Sequence, residues 1–207
     1  MTLVTKAEAD QIAAAISAAE QKTSGEIVAM ITAESASYYY APVLWAALAA
    51  LVMPWPLIHW TWWRIQDIYL LQIAVFFALA VLLNWRRLRF ALVPRSVKSA
   101  RAHRRAVEQF LAQNMHTTAG RTGVLIFVSV AERYAEIIAD AGIHKLVPET
   151  EWTAIVNKLT ADIGDDKAGD GFVAAIESVG HRLAEHFPPG SGPTNQLPNH
   201  LIVLPAA

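Results

Sequence analysis

Two apolar runs without a formal charge interrupt an otherwise mixed chain. Ala41 to Ile58 reads APVLWAALAALVMPWPLI, and Ile68 to Trp85 reads IYLLQIAVFFALAVLLNW. At about 1.5 Å rise per residue, a helix over either run covers roughly 27 Å, close to the hydrocarbon thickness of a bilayer. The pattern predicts a two-helix transmembrane hairpin over residues 41–85. Buried core helices are the competing reading, and uncharged runs of this length argue against them. The connector HWTWWRIQD gathers Trp60, Trp62 and Trp63, with Trp55 just before it. An indole has an apolar ring and one N–H, so it settles at the headgroup level. Pro54 and Pro56 are expected to kink or end the first helix. A re-entrant first segment is the alternative, but the matched lengths favour two full spans.

The flanking segments alternate between helical and strand patterns. Thr5 and Glu8 have capping-box spacing, and Ile12, Ile16 and Ala19 recur on one helical face. Glu26–Thr32 (EIVAMIT) is apolar and β-branched, a buried strand. After the hairpin, Ser96 to Asn114 predicts a helix with Val97, Val107, Phe110 and Leu111 on its apolar side. A turn follows from Gly120 to Gly123. Val124–Val130 (VLIFVSV) is the strongest strand signal, and Tyr134–Ala139 pairs with it as a hairpin. Pro148 suits the first turn of a helix with Trp152, Ile155, Val156 and Leu159 buried. Gly164 to Gly171 reads as a polar loop, and Phe172 to His186 as a last helix with Val173, Ile176, Val179 and Leu183 inward. The tail PGSGPTNQLPNHLIVLPAA is turn-rich and flexible by composition, although LIVL can add an edge strand.

A single strand at Glu26 forms no sheet alone, so its partners must arrive after the hairpin. An even number of spans returns the chain to the same side and permits that pairing. The expected division is residues 1–38 and 106–188 as two parts of one α/β domain. Residues 41–85 are the hairpin, 86–105 a basic juxtamembrane segment, and 189–207 the tail.

Charge sets the expected orientation. Arg86, Arg87, Arg89, Arg95, Lys98, Arg101, Arg104 and Arg105 follow the second run, with no acid before Glu108, whereas the connector offers only Arg64. Positive charge stays on the cytoplasmic side, so both termini and the soluble domain should be cytoplasmic. Arg86 to Arg105 should meet anionic lipid headgroups of the bilayer. A nucleic-acid partner is not expected, because the charges abut a span and only Phe90 interleaves with them. There is no cysteine, hence no disulfide framework and no thiolate chemistry. The N-terminus lacks the basic and apolar regions of a signal peptide.

Candidate chemistry is sparse. No G-x-S-x-G elbow or phosphate loop occurs. Asp166, Asp170, Gly171 and Glu177 fall at positions 1, 5, 6 and 12 of an EF-hand loop, but position 3 is Ala168. A solvated loop with Asp170 as a helix N-cap is the preferred reading. A divalent cation is expected, weakly at most, near the sheet end at Asp140, aided by Asp165, Asp166 or Asp170. Calcium suits an all-oxygen donor set. His181 and Glu185 share a helix face and pair, His103 and His116 read as isolated, and Trp152 reads as a core anchor.

TSGEIVAMI (Thr23 to Ile31), GVLIFVSVAERYAEIIADAGI (Gly123 to Ile143), PETEW (Pro148 to Trp152) and GDGFVAAIESVGHRLAEHFP (Gly169 to Pro188) resemble the TPM domain. That family includes a thylakoid-lumen acid phosphatase, and the closer resemblance is to bacterial members split by a transmembrane hairpin. The resemblance implies a small Rossmann-like three-layer α/β sandwich, calcium binding in some members and acid phosphatase activity in a few. It places the chain in the bacterial inner membrane. Where better-studied members carry G-x-G-L-E, this chain has Asp140-Ala141-Gly142-Ile143-His144. The expected function is therefore a membrane-anchored, non-catalytic TPM-like domain that binds a membrane-protein partner in maintenance or stress response. The alternatives are a metal-dependent acid phosphatase and a scaffold assembling through its hairpin.

Overall fold

The structure is a computed structural model that describes residues 3–118, 121–165, 167–189 and 197–206. In chain order its elements are α1 (Lys6–Glu20), β1 (Glu26–Thr32), α2 (Tyr40–Val52), α3 (Pro54–Trp60), α4 (Ile65–Leu83), α5 (Arg86–Ala91), α6 (Arg95–Ala112), a 3-10 turn (Met115–Thr117), β2 (Gly123–Ser129), β3 (Tyr134–Ala139), α7 (Ala141–His144), α8 (Glu149–Gly164), α9 (Ala168–His186) and β4 (Ile202–Leu204). They fall into two compact units, Met1–Ala36 with Ser99–Ala207, and Ser37–Lys98.

The first unit is built on a four-stranded sheet of order β3-β2-β1-β4. β1 and β2 are parallel, from Glu26 opposite Gly123 to Thr32 opposite Ser129. β3 turns back antiparallel, and β4 lies parallel on the other side of β1. Both β1 and β2 are buried along their whole length. Alternation explains this: successive side chains serve opposite faces. Ile27, Ala29, Ile31, Val124, Ile126 and Val128 join a core with Ile12 and Ile16 of α1, Trp152 and Leu159 of α8, and Phe172, Ile176 and Leu183 of α9. Val28, Met30, Leu125 and Phe127 join a second core with Ala106 and Phe110 of α6 and Met115. The result is the expected three-layer α/β arrangement.

Local signals set several boundaries. Thr5 Oγ1 accepts from Glu8 N–H at 3.3 Å, and the Glu8 carboxylate accepts from Thr5 N–H at 2.7 Å, which completes a capping box. The expected loop from Gly164 to Gly171 is far shorter, because α8 continues to Gly164 and α9 starts at Ala168. Asp170 is not an N-cap. Lys167 holds that position, and Asp170 lies in the first turn, where its charge suits the helix dipole. Pro148 precedes α8 as its N-cap rather than sitting inside it. On α6 the buried face is Ala102, Ala106 and Phe110, while Leu111 is exposed. The LIVL edge strand forms as β4, and residues 190–196 of the tail lie outside the described residues.

The second unit holds the apolar hairpin. Met53 stays helical between α2 and α3, and its N–H still reaches Ala49 O at 3.0 Å. Pro54 therefore stands at the start of α3, where a missing N–H costs little. Tyr40–Trp60 and Ile65–Leu83 are each long and apolar enough to cross a membrane, with mean hydropathy 1.8 and 2.0. Little of either is buried within the protein, unlike the core helix of a soluble domain. α2 and α4 pack through Ala46, Ala50 and Ile68, small residues on α2 admitting close approach. Tyr38 stacks edge-on against Phe90 at 5.2 Å, and the Arg89 guanidinium lies 4.2 Å over the Tyr39 ring.

Candidate functional site

β1 and β2 run parallel, so their carboxyl ends share one edge of the sheet, the position where open α/β sheets hold ligands. Ser35, Ser129 and Glu132 are buried there. Ser35 Oγ donates to Ser129 Oγ at 2.7 Å, and Ser129 Oγ donates to one Glu132 oxygen. The other oxygen accepts the Ser35 N–H at 3.0 Å. The turn between β2 and β3 aims Glu132 at this point, and it closes with Arg133 at φ 50, a left-handed conformation uncommon outside glycine. Both hydroxyl protons are committed to neighbours. The cluster ties the end of β1 to the β2–β3 turn, and neither serine is poised as a nucleophile.

A second constellation joins α6 to β3. Tyr134 O–H donates to Glu136 Oε2 at 3.0 Å. The same carboxylate holds His103 Nδ1 at 2.8 and 3.0 Å. Burial first, and then the Glu136 charge, push the Tyr134 phenol well above its usual value, so it remains a donor. The His103 side chain is 55% exposed, and its Nε2 has no partner among the described residues. An imidazole oriented through one nitrogen and presenting the other is suited to proton transfer. His103 reads as isolated in the sequence because its partner stands 33 positions away. The available signal was the alternation of β3, which puts Tyr134 and Glu136 on one face.

The acids singled out in the sequence are placed differently. Asp140 lies at the amino end of β1 and β2, since its N–H donates to Gly123 O at 2.9 Å. Its Oδ1 caps α7 through Ala141 N–H at 2.6 Å, and its Oδ2 is buried without a hydrogen-bond partner. Asp165 is the C-cap of α8, and Asp170 belongs to the first turn of α9. Asp166 lies outside the described residues. The start of α9 packs against α1 instead: a Cβ on Gly169 would stand 2.6 Å from Glu8 Cγ. Hydrogen bonds from the Thr5 side chain and backbone hold Glu8 below its usual range. Among the described residues, no group of three or more His, Cys, Asp or Glu is arranged to hold a metal ion.

An open groove of about 630 Å³ runs between α8 and α9, lined by Glu151, Ile155, Glu177, His181 and Arg182 among others. Arg182 bridges Glu151 at 2.9 Å and Glu185 at 3.2 Å, and His181 pairs with Glu185 at 3.2 Å as their spacing predicts. One arginine is thus shared by two acids, and Glu177 adds a third carboxyl to the groove.

Residues 86–182 match the TPM domain. No curated protein matches the sequence. Among solved structures, the NMR structure of the BA42 protein from the psychrophilic bacterium Bizionia argentinensis is similar, with a TM-score of 0.60 and 21% identity. The alignment covers 97% of this chain and 94% of that one, and at this identity it shows a shared fold. The family match begins after the hairpin, while α1 and β1 complete the same compact unit from the other side of it. The chain carries a TPM domain, matched over residues 86–182 and assembled with the strand and helix that precede the hairpin.

Proposed function

We propose that the chain is a membrane-anchored TPM domain that binds protein partners, with no catalysis of its own, in membrane-protein maintenance or stress response. One observation carries the anchor: large apolar side chains point outward along both long helices. Leu51, Trp55, Leu70, Phe77 and Val81 are each more than 60% exposed. In water such a surface favours aggregation, and in lipid it is solvated. The basic segment from Arg86 to Arg105 supports an inward-facing soluble domain seated on anionic headgroups of the inner membrane. Alkaline carbonate extraction should leave the full chain in the membrane pellet. Release into the supernatant would refute the anchor.

A second reading, an acid phosphatase, is favoured by the oriented His103 on the arginine-rich helix α6. It requires turnover of p-nitrophenyl phosphate by the purified full chain with calcium, magnesium or manganese present, lost on His103→Ala. Absence of turnover under all three metals retires that reading and leaves the partner-binding one.

A further inference from the structure

The groove between α8 and α9 joins an apolar lining to uncompensated negative charge. Ala154 and Ile155 of α8 supply the apolar part, and Glu151, Glu177, His181 and Arg182 the charged part, around about 630 Å³. That volume lies in the range of cavities that hold ligands. Arg182 is engaged at both ends, its Nε with Glu151 Oε2 at 2.9 Å and its Nη1 with Glu185 Oε2 at 3.2 Å. Glu151 Oε1 and the Glu177 carboxyl have no ion-pair partner among the described residues. These acids do not form a cage for a divalent cation, since no group of three or more His, Cys, Asp or Glu among the described residues is arranged for one. The cation that suits them is carried on a side chain. A guanidinium pairs with a carboxylate through a planar fork, and its apolar stem can lie along Ala154 and Ile155.

The wider charge distribution agrees. From Glu149 to His186 the chain has eight Asp or Glu and three Lys or Arg. α8 and α9 cover one face of the sheet, while α6, with Arg101, Arg104 and Arg105, covers the other. The two signs are therefore held on opposite layers, and the acidic layer repels anionic lipid and draws cations in.

We propose that the α8–α9 groove docks an Arg- or Lys-bearing segment of a partner protein that also presents apolar side chains, of the kind that flanks the cytoplasmic end of a membrane span. This rests on the partner-binding reading above and gives the contact its surface and chemistry. Membrane proteins collect Lys and Arg in the short cytoplasmic loops beside their spans. A domain tethered at the same surface meets such segments at a raised effective concentration. The lining covers residues 150–155 on α8 and 177–182 on α9, roughly 8 Å of helix at about 1.5 Å per residue. It takes one or two basic side chains with an apolar neighbour, not the length of a whole helix. Glu177 and Glu151 Oε1 receive the visiting cation, and Arg182 keeps the Glu151 carboxylate in place.

The test is fluorescence anisotropy of a short labelled peptide of alternating Leu and Arg. The full chain is held in nanodiscs of zwitterionic phosphatidylcholine, which offer the peptide no anionic lipid. A Leu–Gln peptide and empty nanodiscs serve as controls. The Leu–Arg peptide should bind about tenfold more tightly than the Leu–Gln peptide, and its affinity should fall as salt rises. Glu177→Gln should weaken it by up to about fivefold, the effect of one exposed ion pair, and Glu177→Lys by more. Ala154→Trp keeps every charge but fills the groove, and should weaken binding as Glu177→Lys does. Ala154 and Glu177 are both exposed, so these variants should keep the wild-type thermal transition. Asp170→Asn, on α9 but outside the groove, should leave affinity unchanged. Absence of Leu–Arg binding, equal binding of both peptides, or wild-type affinity in both Glu177→Lys and Ala154→Trp would overturn the proposal. An equal loss in Asp170→Asn would assign binding to net charge and also overturn it. Cross-linking of the groove to α6 of a second copy, not displaced by the peptide, would make another copy of this chain the occupant and refute a partner segment. A peptide that binds elsewhere on the chain refutes the groove yet leaves the partner-binding reading standing, whereas the non-catalytic part of that reading falls to phosphatase turnover.

Discussion

A Cβ built on Gly180 would stand 2.6 Å from the Cβ of Ala19, so α1 and α9 meet where neither tolerates another methyl. The Ala19 methyl is fixed to its backbone and cannot swing away. Gly180→Ala should therefore lower stability by about 1–2 kcal/mol, overpacking outweighing a helix-propensity gain of about 1 kcal/mol. Adding Ala19→Gly reopens the space, and the double variant should be more stable than the sum of the single effects by about 1 kcal/mol in a denaturant series. Strict additivity would show that the helices separate freely here. Ile126 tests the sheet in the same way. It is fully buried on a central strand, and Ile126→Asp places an unpaired carboxyl there at a cost of several kcal/mol, comparable with the roughly 5–15 kcal/mol that holds a domain folded. A cooperatively folded Ile126→Asp protein would place that residue outside the core.

At the scale of elements, Glu132 couples the β2–β3 turn to the chain leaving β1. Ser129→Ala removes the hydroxyl that donates to Glu132 and accepts from Ser35, leaving a buried carboxylate one donor short. The expected cost is about 1–3 kcal/mol, read as a lowered denaturation midpoint. Ser35→Ala, which keeps the Ser129 hydroxyl bond to Glu132, should cost less. A reversed order would mean the Ser129 bond carries no weight. This tie was not legible in the sequence, because Ser35 and Glu132 are 97 positions apart and no period links them. The strands were legible, since β1 and β3 match their predicted limits, and so was the start of α1, whose cap is a local exchange of hydrogen bonds. The α8–α9 junction was misread for a physical reason. Gly164, Gly169 and Gly171 look like loop residues, but the first ends α8 and the last two lie in the first turn of α9. A Cβ at Gly169 would meet Glu8 Cγ at 2.6 Å, and one at Gly171 would meet Asp162 Cβ at 2.9 Å. Close packing selects glycine there. The same blindness hid His103, whose meaning comes from Glu136 on another element.

For the whole molecule, the composition of the two cores separates folding from anchoring. Among the described residues, every buried member of the two sheet cores comes from residues 1–36 or 99–207, and none from the hairpin unit. The parallel pairing of β1 with β2 needs a long crossover, and α6 with the turn after it supplies one from within that unit. Replacing residues 37–98 by a flexible linker of about ten Gly and Ser residues, reaching roughly 17 Å on average, should thus keep the sheet intact while removing the exposed apolar helices. The shortened protein should remain in solution without detergent and unfold in a single cooperative transition, whereas the full chain should require lipid or detergent. Monodisperse behaviour in size-exclusion chromatography, together with a sharp thermal transition, would meet that expectation. A shortened protein that aggregates, or melts without cooperativity, would show that the hairpin unit contributes to the fold of the domain and that the cores are incomplete without it.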